Sequence, residues 1–575
     1  MRHVRQRSLA LALATLAFVL PPLALAQAGE RDDKLGKVNH IVVIYQENHS
    51  FDNLYGSWEG VRGRASAPPE HTAQISQGGD LYDCLLQNDV NLASPPLLPT
   101  CTNTHGGAFM SAFVNAPFSI DAYIEPTDKT CPPSNVFAPN GVLKNSPGAL
   151  PGGCTKDIVH RFYQEQYQIN GGHMNRYVTG SDAAGLAMGY YETTQLPIYK
   201  YLHAPSHPKY AIADNFFQGA FGGSFLNHQW LIAAAAPLFA NADQSGTNTD
   251  LHSIVDSAGF PNTTYPLYHP SVTVKDAQLT VKCPPPPSVS GLACGDFAVN
   301  TTQPFYQPFS PGTADARRLP PLTNATIGDR LSAAGVDWAW YAGGWSNANG
   351  DVNGPGWTNG AGPACSDPNA FSTAKFPNCP DNLFQFHHHP FNYFKAFDPA
   401  TPAGHANRQA HLRDEAEFLQ LAASSTKQQC NLKPVSFIKP IGEENEHPGY
   451  TNETAGSTHL VKLLEAITQS GCAKDTMIIV TYDEFGGQWD HVPPPGQGNA
   501  NGPHDQWGPG TRIPALILSP FLRGDFVVDH TSYDTTSIIA TIEKRHGLAP
   551  LGSRDAAVAD LSAVFEAHSN GNSGD

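Results

Sequence analysis

Two apolar runs in this sequence stop abruptly at acids. In VNHIVVIYQENHSFDNLYG the run from His40 to Tyr45 gives way to Glu47 and Asn48, and in TMIIVTYDEFGGQWDHVPPP the run from Met477 to Val480 gives way to Asp483 and Glu484. Neighbouring carboxylates at a strand end repel one another, and burial makes that costly unless a cation neutralises them. Brought together, Glu47, Asn48, Asp483 and Glu484 would be an oxygen-rich donor set. Such a set favours a hard divalent cation, Ca²⁺, Mg²⁺ or Mn²⁺, over Zn²⁺. The plainer reading makes Asn48 a helix cap, Glu47 a solvated side chain and Asp483–Glu484 a loop cap or salt bridge.

A third stretch, NFFQGAFGGSFLNHQWLIAAAAP, places Ser224 after two glycines and before an alanine-rich helical run. A serine there stands at a helix N-terminus, where backbone N–H groups and the helix dipole favour an anion such as phosphate. Ser224 is then a candidate nucleophile, or else an ordinary N-cap. The chain holds 24 histidines. Those in clusters or beside strand ends are candidates for phosphate binding or proton transfer: His387 and His388 in FHHHP, His447 in GEENEHPGY, His160 in HRFYQEQ, and His491 closing the DH pair.

These residues need elements to hold them. Strand-like runs span His40–Gln46, Tyr210–Ala213, Asp337–Ala342, Val435–Lys439, Thr476–Tyr482 and Pro514–Leu518. Helical patterns span Val159–Ile169, Ser224–Ala236, Ala406–Ala422, Ser457–Thr468 and Thr535–Gly547. The alternation predicts an α/β fold with a mainly parallel central sheet flanked by helices. In such sheets ligands bind beyond the carboxyl ends of the strands, where Glu47 and Asp483 stand.

Stretches near 57–155, 240–320 and 345–385 are rich in Pro, Gly and Asn and carry eight of the ten cysteines, so they read as insertions into one large domain covering 27–575. Sequential pairing would join Cys84–Cys101, Cys131–Cys154, Cys283–Cys294, Cys365–Cys379 and Cys430–Cys472, one connectivity among many. Residues 1–26 combine a basic start, an apolar stretch and an Ala24-Leu25-Ala26 cleavage pattern, the marks of a signal peptide. Export, to the periplasm or outside the cell, follows as an expectation and suits disulfides. No other run is long enough to span a bilayer, so no stable membrane insertion is expected. The formal charge is −17, and removing Arg2, Arg5 and Arg7 leaves 31 basic against 51 acidic residues, near −20. That surface repels nucleic acid, and a phosphate-bearing substrate would need a local cation to attract it. The oligomeric state is not legible.

ENHSFD at Glu47–Asp52, MGYY at Met188–Tyr191, GGSFLNHQW at Gly222–Trp230 and YDEFGGQWDHVPPP at Tyr482–Pro495 resemble, in order, motifs of the bacterial acid phosphatase and phospholipase C phosphoesterases, whose core is similar to the alkaline phosphatase superfamily. The serine-centred GGSFLNHQ resembles the acid phosphatase A branch, whereas the phospholipase C branch usually carries a Thr-centred segment. The resemblance implies that Glu47, Asn48, Asp483 and Glu484 hold one metal ion with the Ser224 oxygen as a further ligand, and that Ser224 attacks phosphorus. It implies a metal-dependent acid phosphatase acting on phosphomonoesters through a phosphoserine intermediate. On that reading His447 or His160 protonates the leaving oxygen, while His387, His388 and His491 bind substrate. Imidazolium donors would give an acidic optimum. Two alternatives stand beside it: a phospholipase C-type phosphodiesterase, and a non-catalytic secreted binding protein suggested by aromatic, loop-rich stretches such as GWSNANGDVNGPGW at 344–357.

Overall fold

The computed structural model describes residues 33–87, 98–121, 123–127, 156–240, 250–285, 291–310, 312–351, 353–357 and 383–567, with residues 1 and 242. The expected signal peptide and the pairings Cys131–Cys154 and Cys365–Cys379 lie outside them. Three expected disulfides are present, Cys84–Cys101, Cys283–Cys294 and Cys430–Cys472.

Eight strands form the central sheet: β1 His40–Gln46, β2 Tyr210–Ala213, β3 Trp338–Ala342, β4 Leu412–Asp414, β5 Val435–Lys439, β6 Thr476–Tyr482, β7 Ala515–Leu518 and β8 Phe526–Asp529. Their spatial order is β4–β3–β5–β1–β6–β7–β2–β8. All neighbours pair in parallel except β7, which runs antiparallel to both β6 and β2. Every residue of β5 and β6 is buried, as are all of β1 after His40. Burial on both faces explains why these strands are unbroken apolar runs rather than alternating ones.

The helices that matter for the site are α1 Phe162–Ile169, α2 Ser224–Ala233, α3 Glu453–Thr468 and α4 Thr536–His546. α2 packs on α4, and α3 packs on the helix Pro197–Leu202. The N-cap of α2 is Gly223, which has no side chain to offer, whereas α3 is capped by Asn452, whose side chain accepts from the Ala455 N–H.

The single helix expected over Ala406–Ala422 is instead two, Pro402–His411 and Glu415–Ser424, with edge strand β4 between them. Leu412, Arg413 and Asp414 pair with Trp340, Tyr341 and Ala342 of β3, and the Asp414 carboxylate caps the second helix by accepting from Ala416 N–H. Tertiary pairing and a cap thus break a continuous helical pattern.

Candidate active site

Strand register assembles the site. Gln46 of β1 pairs with Tyr482 of β6, so the residues that follow, Glu47 and Asp483, leave the sheet side by side. The backbone then turns sharply. Asn48 adopts φ 58°, and Gly486, at φ 64°, lets the second strand end approach so closely that a Cβ there would lie 2.3 Å from the Asn48 carbonyl oxygen. The Asp483 Oδ1 atom accepts from the backbone N–H groups of Asn48 (3.1 Å) and Glu484 (2.8 Å), tying the two ends together.

Ser224 arrives from the other side, as the first residue of α2. The turn before it depends on Gly222, at φ 87°, where a Cβ would sit 2.7 Å from the backbone nitrogen of Phe162. Gly222 N–H donates to the buried Glu165 carboxylate at 2.5 Å, and Asn227 and Gln218 close the turn: the Ala220 N–H donates to Asn227 Oδ1 (2.9 Å), and Gln218 Nε2 donates to the Ala220 carbonyl (2.7 Å). Gln218 Oε1 also accepts from Phe485 N–H at 3.0 Å, so the serine turn and the acidic strand end share one side chain. Ser224 Oγ donates to Glu47 Oε2 at 3.2 Å.

Glu47, Asp483 and Glu484 are fully buried. Burial and the Asp483 charge push the carboxyls of Glu47 and Glu484 well above the usual range. Asn48 Oδ1, Asp483 Oδ2 and Glu484 Oε1 have no hydrogen-bond partner. Orphaned, buried oxygens beside mutually repelling carboxylates are what a cation would satisfy, so these residues fit one divalent ion. Lys439 at the end of β5 already donates to Glu47 Oε1 and to the Tyr45 carbonyl (3.0 Å).

A cavity of about 420 Å³ opens over Ser224, lined also by His160, Arg161, His387, His447 and Tyr450. The carboxylates lie one contact behind it: Ser224 reaches Glu47, and His160 Nε2 lies 3.3 Å from Glu484 Oε1. His160 Nδ1 donates to the Ile158 carbonyl (2.6 Å), and His447 Nδ1 to that of Pro448 (2.6 Å), which fixes both rings, with His160 Nε2 turned toward Glu484 and 3.5 Å from Asn48 Nδ2. Burial, then the Lys439 charge, pushes His387 down to about 3, and burial takes His388 and His447 well below the ordinary histidine value. The expectation that these rings act as imidazolium donors is therefore corrected: near neutrality they are uncharged hydrogen-bonding groups.

The structure brings Glu47, Asn48, Asp483, Glu484, Ser224, His160, His387 and His447 to one place. His388 sits behind, 3.5 Å from Glu47 Oε1 and stacked on His228. His491, expected to bind substrate, lies apart from the cavity lining. Its Nδ1 is 2.5 Å from Asp52, which also pairs with Arg512 (3.1 Å), and Arg512 in turn pairs with Asp490. That buried network clamps the Trp489–His491 segment to the ENHSFD turn, where the Asp52 N–H donates to Asp490. Sequence reasoning passed over Lys439, although a cation ends its apolar run as acids end the others, and His228, one helical turn beyond Ser224.

The phosphoesterase family matches over residues 38–549. Phospholipase C A of Mycobacterium tuberculosis is 23% identical over 568 residues, covering 94% of this chain and 79% of that protein. Non-specific phospholipase C6 of Arabidopsis thaliana is 32% identical over 149 residues, 22% of this chain and 27% of its own. Among solved structures, a protein in the alkaline phosphatase superfamily from Vibrio parahaemolyticus aligns at 15% identity over 40% of this chain and 50% of its own, with a TM-score of 0.20.

Proposed function

The chain belongs to the phosphoesterase family and is a hydrolase acting on phosphoric ester bonds, and on that premise we propose that it is an exported, metal-dependent phosphatase that cleaves phosphomonoesters through a phosphoserine intermediate. The observation that carries the reading is Ser224 Oγ at the N-terminus of α2, 3.2 Å from Glu47 and open to a polar-lined cavity. Export is supported by the three disulfides, and no helix among the described residues is long and apolar enough to cross a membrane.

Glu47, Asn48, Asp483 and Glu484, with Ser224 Oγ, would hold one divalent cation, and the oxygen donors favour Ca²⁺, Mg²⁺ or Mn²⁺. When bound it supplies Lewis-acid stabilisation of the phosphoryl charge. Ser224 Oγ attacks phosphorus in line while its proton passes to Glu47 Oε2, the atom it already faces. The ester oxygen leaves with a proton from His160 Nε2, carried by the imidazolium form whose Nδ1–H stays on the Ile158 carbonyl. In the second half a water attacks the phosphoseryl group, its proton goes to His160 Nε2, and Ser224 recovers its proton from Glu47. The α2 N–H groups and the neutral His387 and His447 position the phosphoryl oxygens.

Hydrolysis of p-nitrophenyl phosphate by the full chain, across pH 4 to 9, tests this. Turnover that Ser224→Ala and metal chelation both abolish is expected; turnover that survives Ser224→Ala would move the nucleophile elsewhere. The relatives named phospholipase C favour a second reading, cleavage of a phosphodiester. Phosphatidylcholine hydrolysed in preference to the aryl phosphate would replace the first reading with that one.

A further inference from the structure

We propose that Lys439 is the site's built-in second cation: its ammonium takes the position among Glu47, His228 and His388 that a second metal ion would otherwise fill, so the site works with one divalent ion. The inference rests on the reading of Glu47, Asn48, Asp483 and Glu484 as holders of a single ion.

Glu47, His228 and His388 each offer a donor atom, all within 4.8 Å of one another, and a carboxylate with two imidazoles is a donor set of the kind that binds transition-metal ions. Both rings are prepared for such a role. They stack face to face with centroids 4.9 Å apart and planes 3° from parallel. His228 Nδ1 donates to the Ser224 carbonyl at 2.8 Å, which leaves its Nε2 a bare lone pair 3.8 Å from Glu47 Oε1. The Nε2 atom of His228 is buried with no hydrogen-bond partner, and His388 turns its Nδ1 toward the same Glu47 Oε1 at 3.5 Å. Lys439 stands in the way. It is 1% exposed, it donates to the same Glu47 Oε1, and the Tyr45 carbonyl fixes it at 3.0 Å. Parallel pairing of β5 with β1, Ile438 opposite Ile44, makes this placement a property of the sheet rather than of a loose side chain.

Charge agrees with geometry. Ionised as ligands of a bound ion, Glu47, Asp483 and Glu484 would present three negative charges in a buried volume, which one ammonium with one divalent ion balances. A second divalent ion in place of the ammonium would leave a positive surplus, and a single ion without Lys439 would leave a buried carboxylate unpaired, which is strongly unfavourable.

The test is isothermal titration of the chelator-stripped full chain with Mn²⁺ and with Zn²⁺, checked by metal content after dialysis. Wild type is expected to take up one equivalent. Lys439→Met is expected to take up a second equivalent of Zn²⁺, which the added change His228→Gln removes, and to bind the first ion at least about tenfold tighter for loss of a nearby positive charge. Lys439→Arg keeps the charge and is expected to bind one equivalent, like wild type. If Lys439→Met does not fold, Lys439→Gln, which retains a donor for the Tyr45 carbonyl, supplies the same comparison. Neutral variants that match wild type in stoichiometry and affinity would overturn the proposal, as would two equivalents bound by wild type. A wild type that binds no divalent ion while Lys439→Met does would sink the single-ion reading but support Lys439 as the cation of the site.

Discussion

Ser224, Lys439 and His388 all reach the carboxylate of Glu47, so a change at any of them is felt at one oxygen pair. His160 differs in touching Glu484 and in facing the cavity. His160→Asn is expected to lower kcat by about 10²- to 10⁴-fold, the usual worth of a general acid, and to flatten the alkaline limb of the pH–rate profile, where a general acid loses its proton. An unchanged limb would assign the proton to another group. A second residue-scale prediction concerns stability. Burial and the neighbouring Asp555 raise the Glu543 carboxyl from its ordinary value of 4.5 to about 8. The folded state then holds a proton that the unfolded state lacks between those values, so this contribution is full below pH 4.5 and is lost as pH rises through 8. Glu543→Gln should therefore raise Tm about half a unit above that upper value and leave it unchanged at the lower one, measured by calorimetry. At this scale the sequence made the acids legible, because a buried strand that ends in a carboxylate is conspicuous. His491 lies apart from the cavity because Asp52, 439 residues away, claims its ring, while Arg512 pairs with Asp52 and with the neighbouring Asp490.

At the scale of elements, the serine turn is built by contacts that no local pattern reveals. Gly222 is required by a positive φ and by the Phe162 backbone, while Glu165 of α1 holds its N–H. Gly222→Ala should cost about 1–3 kcal/mol of stability by chemical denaturation and lower turnover with it, since Ser224 is two residues on. An alanine variant with wild-type stability and activity would show that the turn is not fixed by this position. β1, β5 and β6 could be read directly because burial on both faces makes them apolar throughout. β4 could not, because three residues between two helices leave no period to detect, and only the β3 edge supplies its hydrogen-bonding partners.

For the whole molecule, two disulfides, Cys84–Cys101 and Cys283–Cys294, close loop-rich segments on themselves, and a third spans part of the core. Cys430–Cys472 closes a loop across 42 residues that contains β5, His447 and α3. Its removal by Cys430→Ser with Cys472→Ser should cost about 2–4 kcal/mol, read as a lower denaturation midpoint. A midpoint unchanged by the double substitution would remove the disulfide from the account of stability. The even cysteine count and the Pro- and Gly-rich stretches foreshadowed such stapling, but the paths of those loops depend on long-range contacts that pattern does not encode.

The position of β1 has a further consequence for how the protein comes into being. It is the first strand of the sheet to be made, yet its two neighbours, β5 and β6, are supplied by residues 435–439 and 476–482. Its seven residues cannot find their pairing edges until most of the chain has been synthesised, and loop closure over such separations is slow. Glu47 likewise meets Asp483 only then. A growing chain has no assembled centre, so hydrolytic power arises only once residues 476–484 have been made and have joined the sheet beside β1.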